Sequence, residues 1–171
     1  MPFSENLIRF LLYTRKFQRN HLVFNLCPSG WKQHNSSCYK FFSSPQNWTD
    51  AKSTCTGFGG NLVIIDSAEE NSFVKDLIWP AYKKSWGGVW FGASDQEKEG
   101  AWKWMDGQDM KYTAFHWGQP DNCCGGQNCG QFLYWNQPSW ASLAWDDVGC
   151  YFKNPFICER QGTEFMLLQG I

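Results

Sequence analysis

Gly118-Gln119-Pro120-Asp121, joined across a cysteine-bearing segment to Trp145-Asp146-Asp147, decides how this chain is read. The two stretches gather side-chain oxygens from separated parts of the chain, as a hard cation such as Ca²⁺ requires. Proline permits a cis peptide at modest cost where other residues do not. A cis bond between Gln119 and Pro120 would turn the flanking Gln119 and Asp121 carbonyls toward one point. The tripeptide alone is a weak signal, and its setting among cysteines and tryptophans makes it a strong one.

Composition bounds the alternatives. The 171 residues suffice for one domain with extensions and a real core. A formal charge of −1 gives no basic field, so no nucleic-acid partner is expected. Aromatic residues make up 18% and charged residues only 18%, so the chain either buries many rings or presents them to a ligand. Near the start, the apolar run from Leu7 to Tyr13 is broken by Arg9 and followed by Arg15, Lys16 and Arg19. A signal peptide has the opposite order, basic residues before an unbroken apolar core. No run approaches the roughly 18 apolar residues of a membrane span. Residues 1–26 therefore read as an N-terminal extension holding an atypical or incomplete signal region.

The eight cysteines are Cys27, Cys38, Cys55, Cys123, Cys124, Cys129, Cys150 and Cys158. An even count in a small domain implies a disulfide framework and a secreted, extracellular setting. It leaves about 105 pairings open. Structural zinc would need ribbon or finger spacing, which is missing. The sequons at Asn35 and Asn47 are candidate glycosylation sites and agree with secretion.

Along the chain, Cys27 to Phe42 reads as a short aromatic hairpin. A first helix follows, with Ser44 as cap, Pro45 in the first position, and Trp48, Ala51 and Cys55 on one face. A second opens at Ser67, whose spacing to Glu70 fits a capping box, with Phe73, Val74, Leu77 and Ile78 as its buried stripe. From Trp86 the pattern changes to short β segments, including Trp90–Ala93 and Trp102–Trp104. Residues 118–144 read as irregular loop, and strands near Ala144–Asp147 and Phe156–Cys158 close the domain. Residues 161–171 form a C-terminal tail without framework cysteines. The outcome is an α+β domain over 27–160 whose long loop marks function.

Those residues resemble the C-type lectin domain family. Trp48-x-x-Ala51-x-x-x-Cys55, Leu62 to Asn71, Trp90-Phe91-Gly92 and Phe156-Ile157-Cys158-Glu159 match its helices and strands, and Gly118-Gln-Pro-Asp-Asn122 is similar to perlucin-like invertebrate lectins. The resemblance implies the C-type lectin-like fold: two helices, small antiparallel sheets and a long calcium-binding loop region. It implies disulfides Cys27–Cys38, Cys55–Cys158 and Cys129–Cys150. Cys123 and Cys124 have no place in that framework. They could bond each other, stay free, or link two chains into a disulfide-bonded dimer.

The calcium ligands implied are Gln119, Asp121, Gln127, Asp146 and Asp147. Gln127 stands where the family has Glu, and Asp146 where it has Asn. The two departures cancel in charge, so three carboxylates and five oxygen donors remain. The carbohydrate-binding set implied is Gln119, Asp121, Gln127 and Asp146, and Gln-Pro-Asp goes with galactose or N-acetylgalactosamine. Trp135 and Trp140 are candidates to stack on the sugar. A family auxiliary calcium site would match Asp95, Glu99, Asn122 and Asn128, which read better as ordinary surface loop residues.

The leading function is thus calcium-dependent glycan binding. The alternative is a lectin-like structural or surface-binding protein for mineral, ice or protein, without sugar binding. His21, His34 and His116 are scattered and no nucleophile motif is present, so no enzyme is expected.

Overall fold

The chain turns from strand into helix at Asn47. Its side-chain carbonyl accepts the Asp50 N–H at 2.8 Å, and its amide donates to Asp50 Oδ2 at 2.8 Å. This places the N-cap three residues beyond Ser44, which with Pro45 stays in the preceding strand. The correction has a simple cause: the Asn47 side chain satisfies one of the helix's first donors, the Asp50 N–H, and is itself held by the Asp50 carboxylate.

The structure, a computed structural model, describes residues 21–82, 87–137 and 140–168, with side chains for 27–80, 87–134 and 143–163. The strands are β1 (His21–Leu26), β2 (Lys32–His34), β3 (Ser37–Gln46), β4 (Asn61–Leu62), β5 (Val89–Ser94), β6 (Lys103–Trp104), β7 (Cys129–Gln137), β8 (Trp140–Val148), β9 (Asn154–Gln161) and β10 (Thr163–Leu168). The helices are α1 (Trp48–Gly57) and α2 (Ala68–Tyr82). The α2 capping box forms: Ser67 Oγ accepts the Glu70 N–H at 3.2 Å, and Glu70 Oε2 accepts the Asp66 N–H at 3.0 Å.

Most strands join one sheet in the order β2-β3-β9-β5-β7-β8, with β4 on β9 and β6 on β5. All its pairings are antiparallel except β5 with β9, where Trp90 lies beside Phe156. The sheet is therefore larger and more mixed than small antiparallel sheets. β1 and β10 make a separate antiparallel pair, drawing part of the N-terminal extension and part of the tail together.

The loop expected over 118–144 is shorter than expected. Its second half is the β7–β8 hairpin, in continuous register from Cys129↔Val148 to Gln137↔Trp140. Burial of Phe132 and Leu143 against α2 and the sheet core overrides the Gly, Gln and Asn content that suggested a loop. Irregular chain fills 105–128 instead.

The core has two parts. Phe91, Trp104, Phe132 and Trp145 form a ring cluster with Val74 and Ile78 of α2. Trp48, Ala51 and Cys55 of α1 pack on Leu62, Trp90 and Phe156. Trp48 donates its indole N–H to the Phe91 carbonyl at 2.9 Å, Trp90 to that of Gln46 at 2.8 Å, and Trp145 to Asn71 Oδ1 at 3.0 Å, whereas the buried Trp104 indole N–H has no acceptor among the described residues. Gly92 is required where β5 passes β4, because a Cβ there would stand 2.6 Å from the Leu62 carbonyl oxygen. Cys27–Cys38, Cys55–Cys158 and Cys129–Cys150 are bonded, at Cα separations of 5.5, 5.3 and 5.2 Å.

Candidate functional site

Trp145-Asp146-Asp147 lies on β8, paired with Phe132, Gln131 and Gly130 of β7. Strand alternation sends Asp146 to the face opposite Trp145 and Asp147. Asp146 Oδ2 accepts from Gln131 Nε2 at 2.8 Å, and Gln131 Oε1 accepts from Asn154 Nδ2 at 2.9 Å. All three residues are buried, so a satisfied polar chain fixes the Asp146 carboxylate. Burial pushes the Asp146 carboxyl above the usual range. The Gln131 amide acts against this, the charges of Asp147 and Asp121 add to it, and His116 opposes it.

Asp147 is 1% exposed and holds the irregular segment from below. Its Oδ1 accepts the Asp121 N–H at 3.0 Å and its Oδ2 the Asn122 N–H at 2.7 Å. The Gln119–Pro120 bond is cis. Gln119 Oε1 also accepts the Asp121 N–H, at 3.0 Å, and Gln119 Nε2 donates to Asp121 Oδ2 at 3.3 Å. Asp121 Oδ1 accepts the Cys123 N–H, and Asn122 Oδ1 the Gln127 N–H, both at 3.0 Å. Gln119, Asp121 and Asp147 are thus joined directly, and Gln127 through Asn122. Asp146 senses Asp121 and Asp147 through charge.

The donor chemistry suits a hard cation in one respect above others: Gln127 Oε1 is buried without a hydrogen-bond partner. A buried acceptor left open costs stability unless a ligand takes it up. Among the described residues, no three His, Cys, Asp or Glu side chains form a metal-holding group. Any cation here would rely on the amide oxygens of Gln119 and Gln127 as well as carboxylates.

Trp135 and Trp140 lie on strands, correcting their assignment to a loop, and their side chains fall outside the described residues. At about 3.3 Å per residue, their backbones stand about 13 and 20 Å along the hairpin from the Gln131–Asp146 pair. Trp117 is nearer and 92% exposed. The segment carrying it is tied to β8 by His116 N–H donating to the Trp145 carbonyl at 2.9 Å, and Gln119 N–H donates to the His116 carbonyl at 2.8 Å. Sequence reasoning passed over Trp117, although its place two residues before Gln119 was a signal. Gln131 and Asn154 were also missed, since only the sheet brings them to Asp146.

Asp95 is not the surface residue expected. It is 2% exposed, and its Oδ1 and Asn128 Oδ1 are buried without partners. Glu99 remains exposed. Asn35 is exposed at the β2–β3 turn, where φ is +51°, and Asn47 is the half-buried α1 cap. No helix among the described residues is long and apolar enough to cross a membrane.

Comparison with known proteins agrees with the fold. The Lectin C-type domain family model matches residues 44–160. A perlucin-like protein from Mytilus galloprovincialis is 38% identical over 125 residues, covering 72% of this chain and 76% of that one. The mouse scavenger receptor C-type lectin carbohydrate-recognition domain superposes with a TM-score of 0.68 at 33% identity, over 81% of this chain and 100% of that one. A calcium-independent type II antifreeze protein also superposes at 0.68, with 28% identity over 85% and 100% of the two chains. The family is one of non-catalytic carbohydrate-binding domains. The chain belongs to the C-type lectin domain family.

Proposed function

We propose that the chain is a secreted lectin that binds glycans through Ca²⁺ held by Gln119, Asp121, Gln127, Asp146 and Asp147. The observation that carries this reading is the buried, unpartnered Gln127 Oε1 on the loop that Asp147 anchors. The buried Asp146 carboxylate, which also feels the charges of Asp147 and Asp121, would gain from a divalent ion. The likeness to a solved carbohydrate-recognition domain supports the same reading. When bound, the ion would offer coordination positions to two vicinal sugar hydroxyls. The carboxylates would accept from those hydroxyls, and the Gln119 and Gln127 amides would donate to them.

Galactose or N-acetylgalactosamine is the preferred ligand class, from Gln-Pro-Asp. Trp117 supplies an exposed ring for the apolar face of the sugar. The reading is tested on a glycan array with Ca²⁺ and with EDTA. Galactose-type binding that EDTA abolishes is the expected result, and binding indifferent to EDTA would overturn it. A second reading, surface binding without sugar, is favoured by the likeness to a calcium-independent antifreeze protein and by Asp147 spending both oxygens on backbone amides. An empty glycan array would select it.

A further inference from the structure

Six of the eight cysteines are consumed by the three disulfides. Cys123 and Cys124 are exposed and free, with Sγ atoms 3.4 Å apart. They occupy the two central positions of a turn closed by the Gly125 N–H donating to the Asn122 carbonyl at 2.9 Å. Cys124 has φ +67°, a left-handed conformation that the third position of a type II turn requires and that normally falls to Gly or Asn.

The same turn is built into the proposed ligand loop. Cys123 N–H donates to Asp121 Oδ1, Asn122 N–H to Asp147 Oδ2, and Asn122 Oδ1 accepts from Gln127 N–H. Any rotation of the peptide between the two cysteines therefore reaches residues on both sides of it.

We propose that Cys123 and Cys124 form a thiol-modification site, which a low-molecular-weight disulfide closes into a ring, loosening the turn that positions Asp121 and Gln127. The chemistry is thiol–disulfide exchange. One cysteine thiolate attacks the reagent and expels a thiolate, leaving a mixed disulfide. The second cysteine attacks the protein sulfur of that bond, forming Sγ–Sγ and expelling the other half. Two electrons pass to the reagent, which leaves as two thiols carrying the two protons. Exposure admits the reagent at this pair, whereas Cys55 and Cys158 are fully buried.

Geometry sets the consequence. Bonding draws the sulfurs from 3.4 Å to about 2.0 Å. Adjacent Cα atoms stand about 3.8 Å apart across a trans peptide, below the roughly 4.4 Å at which ordinary disulfides begin. The ring must therefore twist the Cys123–Cys124 peptide, which opens the Gly125-to-Asn122 bond and slackens the amides held by Asp121 and Asp147. Closure within the chain outruns linkage to a second chain, because the partner sulfur is already in contact and its effective concentration is high.

The effect on calcium rests on the proposed function, and the ring chemistry does not. The test incubates the full chain with oxidised glutathione or with a mild reductant. Alkylation and peptide mass, amide hydrogen exchange over 119–127, and calcium calorimetry are then measured. Oxidation is expected to remove both alkylatable thiols without a glutathione adduct, to speed exchange over 119–127, and to weaken calcium binding about tenfold, as loss of outer-shell support does. The Cys123→Ser/Cys124→Ser double variant is expected to show none of these responses. Stable glutathione adducts or a reductant-sensitive dimer in place of the ring would overturn the proposal. So would a closed ring that leaves exchange and calcium affinity unchanged. A chain that closes the ring and speeds exchange, yet binds no calcium in either state, upholds this inference and removes the calcium reading.

Discussion

Asp147 grips Asp121 by its main chain, taking the Asp121 N–H on Oδ1 at 3.0 Å while Oδ2 takes that of Asn122 at 2.7 Å. One buried carboxylate on a strand thus sets the shape of a loop 26 residues earlier. Asp147→Ala orphans the Asn122 N–H, at about 1–3 kcal/mol when it remains buried, leaves the Asp121 N–H to Gln119 Oε1 alone, and should abolish calcium-dependent glycan binding. Asp147→Asn keeps an acceptor and loses the charge. It should retain most of the stability while weakening calcium at least about tenfold. Urea unfolding and calorimetry on both variants separate loop anchoring from ion binding.

Sugar choice depends on where acids and amides stand around the ion. Asp146 presents one oxygen to Gln131, and its other has no hydrogen bond among the described residues. The double variant Gln127→Glu with Asp146→Asn preserves charge and exchanges acceptor for donor. A site that hydrogen-bonds hydroxyls discriminates strongly against the reversed arrangement. The glycan profile on an array should therefore change, and identical profiles would contradict the donor–acceptor argument.

Trp117 exposes almost its whole ring beside the Gln119 loop. Trp117→Ala should weaken galactose binding about tenfold, roughly the 1.4 kcal/mol at the upper end of aromatic-contact energies. Calcium affinity should not change. Titrating the sugar by calorimetry at saturating Ca²⁺ checks both.

Asn47 caps α1 through two hydrogen bonds with Asp50. Asn47→Ala should cost about 1 kcal/mol, lowering the melting temperature by roughly 2–4 °C. Asn47→Asp keeps the acceptor for the Asp50 N–H but sets two carboxylates against each other, so it should fall between the alanine variant and the parent. Scanning calorimetry of protein made without glycans isolates the cap from loss of the sequon.

Glu159 sits in a cluster with Tyr39 and Glu70, where the Tyr39 hydroxyl is 2.6 Å from Glu70 Oε1 and 3.4 Å from Glu159 Oε1. Burial pushes the Glu159 carboxyl up. The Ser37 hydroxyl acts against this, Glu70's charge adds to it, and bonds from Ile64 and Tyr39 oppose it. A carboxyl raised on folding contributes stability below its unfolded pKa, and that contribution is lost as pH rises through the folded value. Glu159→Gln should therefore be more stable than the parent near about pH 7, with the difference vanishing by about pH 3, below the ordinary Glu range. Denaturation midpoints across that window read the sign directly.

What the sequence showed was local. Ser67 and Glu70 announce their helix because both halves of the box lie within one turn. Ser44-Pro45 suggested the helix start, whereas α1 is capped at Asn47 and β3 runs on to Gln46, paired with Asn154. The Gln-Pro-Asp segment was legible because its three residues are consecutive, although Asp147 holds the Asp121 N–H from 26 residues away. Gln131, Asn154 and Asp95 were illegible because their importance comes from burial beside strands distant in sequence. The β7–β8 hairpin was hidden by a composition that reads as loop until Phe132 and Trp145 meet in the core.

β1 and β10 run antiparallel, with His21 opposite Leu168 and Leu26 opposite Thr163. Both ends of the described chain therefore leave through a single doorway. A domain so made can be threaded into a host protein as one excursion, or hung from a scaffold by either end with the same orientation. Joining Leu168 to His21 by a short linker would make a closed circle, and the chain could then be reopened at a turn outside residues 117–128.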